Sequence, residues 1–400
     1  MDLYIHDYAG HVGQIEVARG LAARGHRVLF TYCDELPTPR GGLTPDAGLE
    51  SLSIEIIGIG QPIIKKNYFK RQWQDLLYAR ALVRHVRRHK PQLVVSANNP
   101  LIPQWALVRY CRRHGIPIVH WWTDIYSLAV RHSVGEKFGP LGRMIAWSYE
   151  KLEIHLLRRS QAVLAIAEQF RLIAGRWRVE TPLTVIPVPA PTERVQPGAK
   201  CNPWSVRHGV AETANIVYCG TLGNKHHPEL LLLLAEKLRN RSDVRVIVAA
   251  GGVGADWLLH EQETARLSNL LLLPFQPFED YPDILAAADV HVTVLNRDAS
   301  AYALPSKIMS QLCAARTQVA IVPRDNQGAT LVNEANAGFV YAPEEFEAAL
   351  ASIEKLLTDT DSRREYGENG RRYADARLSL TALVPRYEEL FERVIAGGAK

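Results

Sequence analysis

Short apolar runs alternate with stretches of helical period along almost the whole chain, and the order occurs twice. Residues 3–5 are apolar and lead into a polar, glycine-bearing loop, Asp7-Tyr8-Ala9-Gly10-His11-Val12-Gly13. A helical pattern follows over 15–23, then a second apolar run at 28–30. That order predicts a strand, a loop at its carboxyl end, a crossover helix and a parallel strand. Further strands are expected at 93–96, 116–120 and 162–166, with helices running through Arg112 and over 141–159. Residues 185–203 are rich in proline and polar side chains and form the best linker in the chain. Beyond it the alternation restarts, with strands expected at 215–219, 244–250, 270–273, 290–295 and 319–322 and helices over 228–238 and 387–395. The predicted fold class is α/β, with two Rossmann-like, doubly wound parallel-sheet domains. Residues 1–190 would form the first and 191–375 the second, with a C-terminal helix in 376–400 packing back towards the first.

Two such sheets joined by a linker are expected to face a cleft, and ligands of open α/β sheets bind outside the carboxyl ends of strands. In the second half three loops fall at such ends: Gly220–Lys225, Phe275–Phe278 and the segment from Asn296 to Lys307. The last contains Pro305-Ser306-Lys307, a helix start with a lysine in its first turn. Unpaired N–H groups, the positive end of the helix dipole and a lysine together suit a phosphate or diphosphate. The plainer explanation is an ordinary helix start, since proline is favoured at the first helical position. The first loop, with Gly10-x-x-Gly13, lacks the glycine spacing of a dinucleotide binder.

The composition, 47% hydrophobic and 22% charged over 400 residues, is that of a globular protein of two domains. No apolar run is long enough to span a membrane, and the N-terminus lacks the pattern of a signal peptide. Five scattered cysteines without a C-x-x-C pair read as free thiols of a reducing compartment, so a cytoplasmic protein with neither disulfides nor a zinc site is expected. The net charge is +5, but its distribution is uneven. Between Ile63 and Lys90 nine basic residues stand against the single acid Asp75, so the remainder is net acidic. There Trp73, Leu76, Ala79, Val83 and Val86 recur at helical spacing beside a stripe of Arg80, Arg84, Arg87 and Arg88. This reads as a helix able to lie on an anionic lipid surface, with Trp73 and the four arginines in contact; a solvated helix packed on the sheet is the alternative. No base-stacking module accompanies the charge, so nucleic acid is not an expected partner.

The motifs resemble those of GT-B glycosyltransferases, similar to family 4 and within it to bacterial polysaccharide or glycolipid enzymes of the colanic acid type. Gly10-His11-Val12-Gly13 and Arg24-Gly25-His26-Arg27-Val28 are similar to the family's opening loop and second strand. Asp124-Ile125-Tyr126, Ala288-Asp289-Val290 and Pro305-Ser306-Lys307 resemble its later motifs, and Gly220-Thr221-Leu222-Gly223-Asn224-Lys225 resembles a donor loop. The resemblance implies transfer of a sugar from a nucleotide-diphosphate donor to a hydroxyl of a lipid-linked, glycan or small-molecule acceptor, without a metal or other cofactor. The donor would contact Gly13, Gly220, Thr221, Lys225, Phe275, Pro305, Ser306, Lys307 and Glu334, the last near the ribose. The peripheral site of such an enzyme would be the inner face of the cell membrane. Tyr302 and Ser310 stand where the larger family keeps two carboxylates, and Thr221 where it keeps an arginine, so neither the donor sugar nor the anomeric outcome is implied.

His11 is a candidate acceptor contact or base and Asp124 a candidate to orient or deprotonate the acceptor, with helix capping as the plainer role of each. His26, after a helix-ending glycine, reads as structural. A sugar-nucleotide epimerase and a non-catalytic subunit that binds nucleotide or lipid are the alternatives to a transferase.

Overall fold

A computed structural model of the chain describes residues 1–36, 43, 48–64, 68–131, 139–223, 225–299 and 306–398. It divides into two compact units, Met1–Pro189 with Leu380–Lys400, and Ala190–Ser379.

The first unit contains strands β1 (Asp2–Asp7), β2 (Arg27–Tyr32), β3 (Leu52–Ile56), β4 (Leu93–Ala97), β5 (Ile118–Trp122), β6 (Ala162–Ala165) and β7 (Leu183–Val185). Its helices are α1 (Val12–Ala23), α2 (Tyr68–His89), α3 (Leu101–Arg113), α4 (Tyr126–Val130), α5 (Gly139–Arg159) and α6 (Glu168–Arg176). The seven strands pair in the order β3-β2-β1-β4-β5-β6-β7, every pair parallel. Parallel strands are covered on both faces and so read as unbroken apolar runs; β1, β4 and β5 are buried almost throughout.

The second unit opens with α7 (Pro203–Arg207) and continues through β8 (Ala214–Thr221), α8 (Pro228–Lys237), β9 (Val244–Gly251), α9 (Val253–Ala265), β10 (Leu270–Leu273), α10 (Tyr281–Ala286) and β11 (Val290–Val294). It ends with α11 (Lys307–Cys313), β12 (Thr317–Ile321), α12 (Gln327–Glu334), β13 (Gly338–Tyr341), α13 (Phe346–Thr358) and α14 (Thr360–Tyr373). Its six parallel strands run β10-β9-β8-β11-β12-β13. Counted from its own first strand, this is the order of the first sheet over again. A core lies on each face, one around Trp204, Ile308 and Leu312, the other around Leu231, Val248 and Ile353.

The last helix, α15 (Leu380–Gly398), belongs to the first unit. A Cβ on Gly20 of α1 would meet Val384 at 2.4 Å, so the two helices approach at a glycine. His26 Nε2 lies 2.6 Å from Glu388 on the same helix, the structural role expected of it.

Of the apolar positions read at helical spacing along α2, only some turn inward. Its buried face carries Gln74, Asp75, Tyr78, Ala79, Leu82 and Val86, while Trp73 and Leu76 are exposed. Two polar residues take inner positions beside local partners. Gln74 accepts from Ile64 N–H and donates to the Pro62 carbonyl, and Asp75 pairs with Arg71 Nε at 3.0 Å. Trp73, Leu76, Arg80, Arg84 and Arg87 therefore share one exposed stripe, with Arg88 beside it.

Candidate functional site

In both sheets the strand order reverses between the first and fourth strands, at β1/β4 and at β8/β11. Loops leaving such strands in opposite directions open a crevice at the carboxyl edge, where open α/β sheets bind ligands. Candidate residues collect at each of these points.

At the first, the chain leaves β1 and turns sharply through Gly10, whose φ of +72° favours glycine. The turn returns His11 to the end of its own strand, where its backbone N–H donates to the buried Asp7 carboxylate. His11 occupies the N-cap position of α1, yet its side chain makes no capping bond. Its Nδ1 instead lies 3.2 Å from Asp7 Oδ2, which leaves Nε2 on the open side of a ring that is 47% exposed. Desolvation lowers the imidazole's pKa, but the hydrogen bond and charge of Asp7, with the charge of Asp124, outweigh it and raise the net value. A base strengthened in this way by a carboxylate is suited to taking a hydroxyl proton.

Asn98, just beyond β4, completes this group. It sits in left-handed backbone at φ 52°, which asparagine tolerates, and its Nδ2 donates to Asp7 Oδ1 at 2.5 Å. Its Oδ1 accepts from the Thr123 hydroxyl and its carbonyl from Tyr126 O–H at 3.4 Å. Asp124 follows Thr123 in the loop after β5 and is exposed. That loop is held from below by Glu153 of α5, which is 1% exposed. Glu153 accepts from the indole of Trp122 and from the N–H groups of Tyr126 and Ser127, which open α4. The sequence reading singled out His11 and Asp124 but not Asp7, Asn98 or Glu153, which hold the loops around them.

Gly13, expected beside the donor, has a packing reason to be glycine. A Cβ there would come within 2.0 Å of Val188 Cγ1.

At the second switch point Lys307 is the organising side chain. Its Nζ donates to the Tyr218 hydroxyl, lies 3.9 Å from the centre of that ring, and reaches the Thr221 carbonyl at 3.2 Å. Desolvation by burial pulls its pKa down to about 7, and the charge of Lys225 acts in the same direction. Gly220, at φ +123°, lets the end of β8 pass beside the lysine, and a Cβ there would sit 3.6 Å from Lys307 Cε. Lys225 lies in the same loop, whose carbonyl accepts from Asn296 N–H at 3.0 Å and so ties the β8 and β11 loops together. His226 accepts from Gly223 N–H at 2.9 Å. Burial, reinforced by Lys307 and Lys225, pushes its imidazole down to about 3, so it stays neutral between the lysines. Phe275, 55% exposed, lies on the Gly251 backbone, where a Cβ would meet the ring at 2.3 Å. Ser306 is exposed at the N-cap of α11 and makes no side-chain capping bond. Pro305 and Tyr302 lie outside the described residues, and Ser310 is buried within α11.

Glu334 stands apart from this group. It ends α12, which runs back from the carboxyl edge of the sheet, and it accepts from Tyr373 O–H at 2.6 Å near the start of β13. The helix direction places it at the amino-terminal edge, opposite the loops that carry Lys225 and Lys307.

Sequence and fold comparisons agree with this geometry. Residues 13–189 match the Glycosyl transferase 4-like domain and residues 204–373 match Glycosyl transferases group 1. The chain belongs to the GT-B, family 4-like glycosyltransferases. A colanic acid biosynthesis glycosyl transferase by name, WcaI of Escherichia coli K12, is 28% identical over 157 residues, 38% of either chain. The Bacillus subtilis protein YtcC, named as a glycosyltransferase, is 21% identical over 201 residues, 47% of each. The match thus spans less than half the length of these curated relatives. Among solved structures, sucrose-phosphate synthase of Thermosynechococcus elongatus superposes with a TM-score of 0.76 at 14% identity, over 99% of this chain and 100% of that one. HepE of Anabaena, solved with UDP, gives 0.68 at 16% identity over 98% and 100%. Both likenesses establish the GT-B fold.

Proposed function

We propose that this glycosyltransferase moves a sugar from a nucleotide-diphosphate donor to a hydroxyl of a lipid-linked or glycan acceptor. The observation that carries the reading is the opposite charge of two topologically equivalent sites. Asp7 and Asp124 make the first switch point acidic around a base, whereas the second presents Lys225 and Lys307, the latter an amine that takes up its proton as an anion binds. A diphosphate is repelled by the first arrangement and stabilised by the second. In the reaction the bond between the anomeric carbon and the diphosphate oxygen breaks, and a bond to the acceptor oxygen forms. The acceptor proton passes to His11 Nε2, and the departing diphosphate is neutralised by Lys225 and Lys307. The two lysines supply the positive charge, so the reading calls on no metal or cofactor. That HepE was solved with UDP supports a uridine donor as the first to try.

The acceptor class rests on the first unit's surface. Trp73 and Leu76 precede Arg80, Arg84, Arg87 and Arg88 along one exposed side of α2, an arrangement that suits an anionic membrane surface. No described helix is long and apolar enough to cross a membrane. Replacing the four arginines with serine is expected to cut co-sedimentation with anionic vesicles by about a hundredfold or more, at roughly 1 kcal/mol per charge. Equal sedimentation of the variant would remove the membrane contact from the account.

The activity itself is tested by incubating the protein with UDP-, GDP-, ADP- and TDP-sugars and a lipid extract. Acceptor-dependent release of a nucleoside diphosphate is expected. Binding without release across the panel would instead identify a non-catalytic partner subunit.

A further inference from the structure

Away from both switch points, the edge of the first sheet brings three metal-ligand side chains together. His85 and His89 are four residues apart on α2 and so project from one face of that helix. Their rings stack with centroids 4.6 Å apart and an interplanar angle of 26°. Both present Nε2 to Glu55 of β3, at 2.9 Å from Oε2 for His85 and 3.8 Å for His89. The three ligand atoms all lie within 4.8 Å of one another.

We propose that Glu55, His85 and His89 form a binding site for a transition-metal dication of the Zn2+ class. Two imidazoles and a carboxylate are a recurrent zinc ligand set with one position left for water. Bonds of about 2.0–2.2 Å to a tetrahedral ion separate its ligands by roughly 3.4 Å. The two His–Glu distances bracket that value, and the third separation lies within 4.8 Å.

Two further observations distinguish the group from an ordinary ion pair. A His85–Glu55 pair alone leaves His89 Nε2 shut off from solvent with no hydrogen-bond partner among the described residues; a metal ion gives that lone pair its use. The other nitrogen of His85 is already held, since Nδ1 lies 2.9 Å from the hydroxyl of the buried Tyr4. Such an outer partner holds the ring of a metal-binding histidine with Nε2 directed to the ligand side, and the hydroxyl can accept from Nδ1–H when Nε2 ligates. The nearby Arg84, Arg87 and Arg88 are exposed, where solvent and salt screen their repulsion of a cation.

The site's place in the fold indicates its use. β3 is the edge strand of the sheet, and α2 carries the exposed aromatic and basic stripe. A metal ion bound here would clip that strand to that helix, a stabilising role separate from the chemistry at His11.

The test is calorimetric titration of the purified, chelator-treated chain with Zn2+, repeated with Co2+ while following visible absorption. Wild-type protein is expected to bind one equivalent and to give the Co2+ band of a four-coordinate site. Glu55→Gln and His89→Ala are each expected to weaken Zn2+ binding at least about tenfold and to remove the band. Circular dichroism and metal-free thermal unfolding establish that each variant folds, and the near-isosteric Glu55→Gln keeps the test open if His89→Ala does not. Absence of Zn2+ binding by the wild type, or binding that survives in a folded variant, would overturn the proposal.

Discussion

The two units share a strand order and a switch point, and they furnish them in opposite ways. The first builds a polar network from distant segments: Asp7 at the end of β1, Asn98 after β4 and Thr123 after β5, with the β5 loop held by Glu153 from α5. The second also joins distant segments, Lys307 reaching back 86 residues to the main-chain carbonyl of Thr221 and 89 to Tyr218, whose ring it lies over, beside a glycine at the end of β8. A fold repeated within one chain thus fixes where a ligand is approached, while the side chains at the edge decide which charge it carries. The buried Asp7 holds an imidazole, and a carboxylate there disfavours an anion, whereas the buried amine of Lys307 would favour one.

The sharpest way to break this comparison is His11→Ala. If the first site supplies the base, turnover falls by about a hundredfold or more, measured as nucleoside diphosphate released in the presence of acceptor. Nucleotide affinity stays as in the wild type, because the second site is intact. A matching loss of affinity would mean that His11 belongs to the donor.

Asp7→Asn probes the same group more gently. Removing the carboxylate charge takes away the interaction that favours the imidazolium, so the pKa of His11 falls. The acid limb of the pH–rate profile should therefore move to lower pH, with a lower plateau because the base is weaker. A limb that stays in place would separate Asp7 from the proton transfer.

A smaller effect is expected at Gly13. Alanine in place of glycine within a helix gains about 1 kcal/mol from propensity, whereas overpacking costs about 1–3 kcal/mol. With Val188 Cγ1 at 2.0 Å from the added carbon, overpacking should win and Gly13→Ala should unfold at lower denaturant. Adding Val188→Ala should recover the loss. A stabilised single variant would show that Val188 yields freely, and would return Gly13 to the list of ligand contacts.

These contrasts also explain what the sequence disclosed. The strand–helix alternation, the proline-rich junction and the glycine loop with Lys225 and Lys307 are local patterns, and periodicity and spacing detect them. The first site is built from contacts between segments far apart in sequence, so only its histidine and Asp124 stood out, while Asp7 looked like an ordinary strand end. The phase of α2 escaped for a related reason. Hydrophobic spacing alone does not say which of Trp73, Leu76, Ala79, Val83 and Val86 turn inward, and Gln74 and Asp75, partnered with Pro62, Ile64 and Arg71, take the inner face beside Ala79 and Val86. Glu334 near the ribose is implied by the family resemblance alone, and the direction of α12 carries it to the other end of the sheet. The His85-x-x-x-His89 spacing carries little signal by itself, because the third member of the group, Glu55, lies on β3.

The division of labour between the units is tested most directly by titrating the protein with UDP and with GDP at pH 8, in two buffers of different ionisation enthalpy. Lys307, whose pKa is near 7 in the free protein, is largely neutral at that pH, and a bound diphosphate raises its pKa. The account predicts uptake of close to one proton per nucleotide bound and affinity that weakens as pH rises above 7. In Lys307→Ala the proton uptake disappears and affinity falls about tenfold to a hundredfold, as expected for a charge-assisted contact worth ~1.5–3 kcal/mol; in His11→Ala both remain. Nucleotide binding without proton uptake, or with equal affinity in Lys307→Ala, would contradict it.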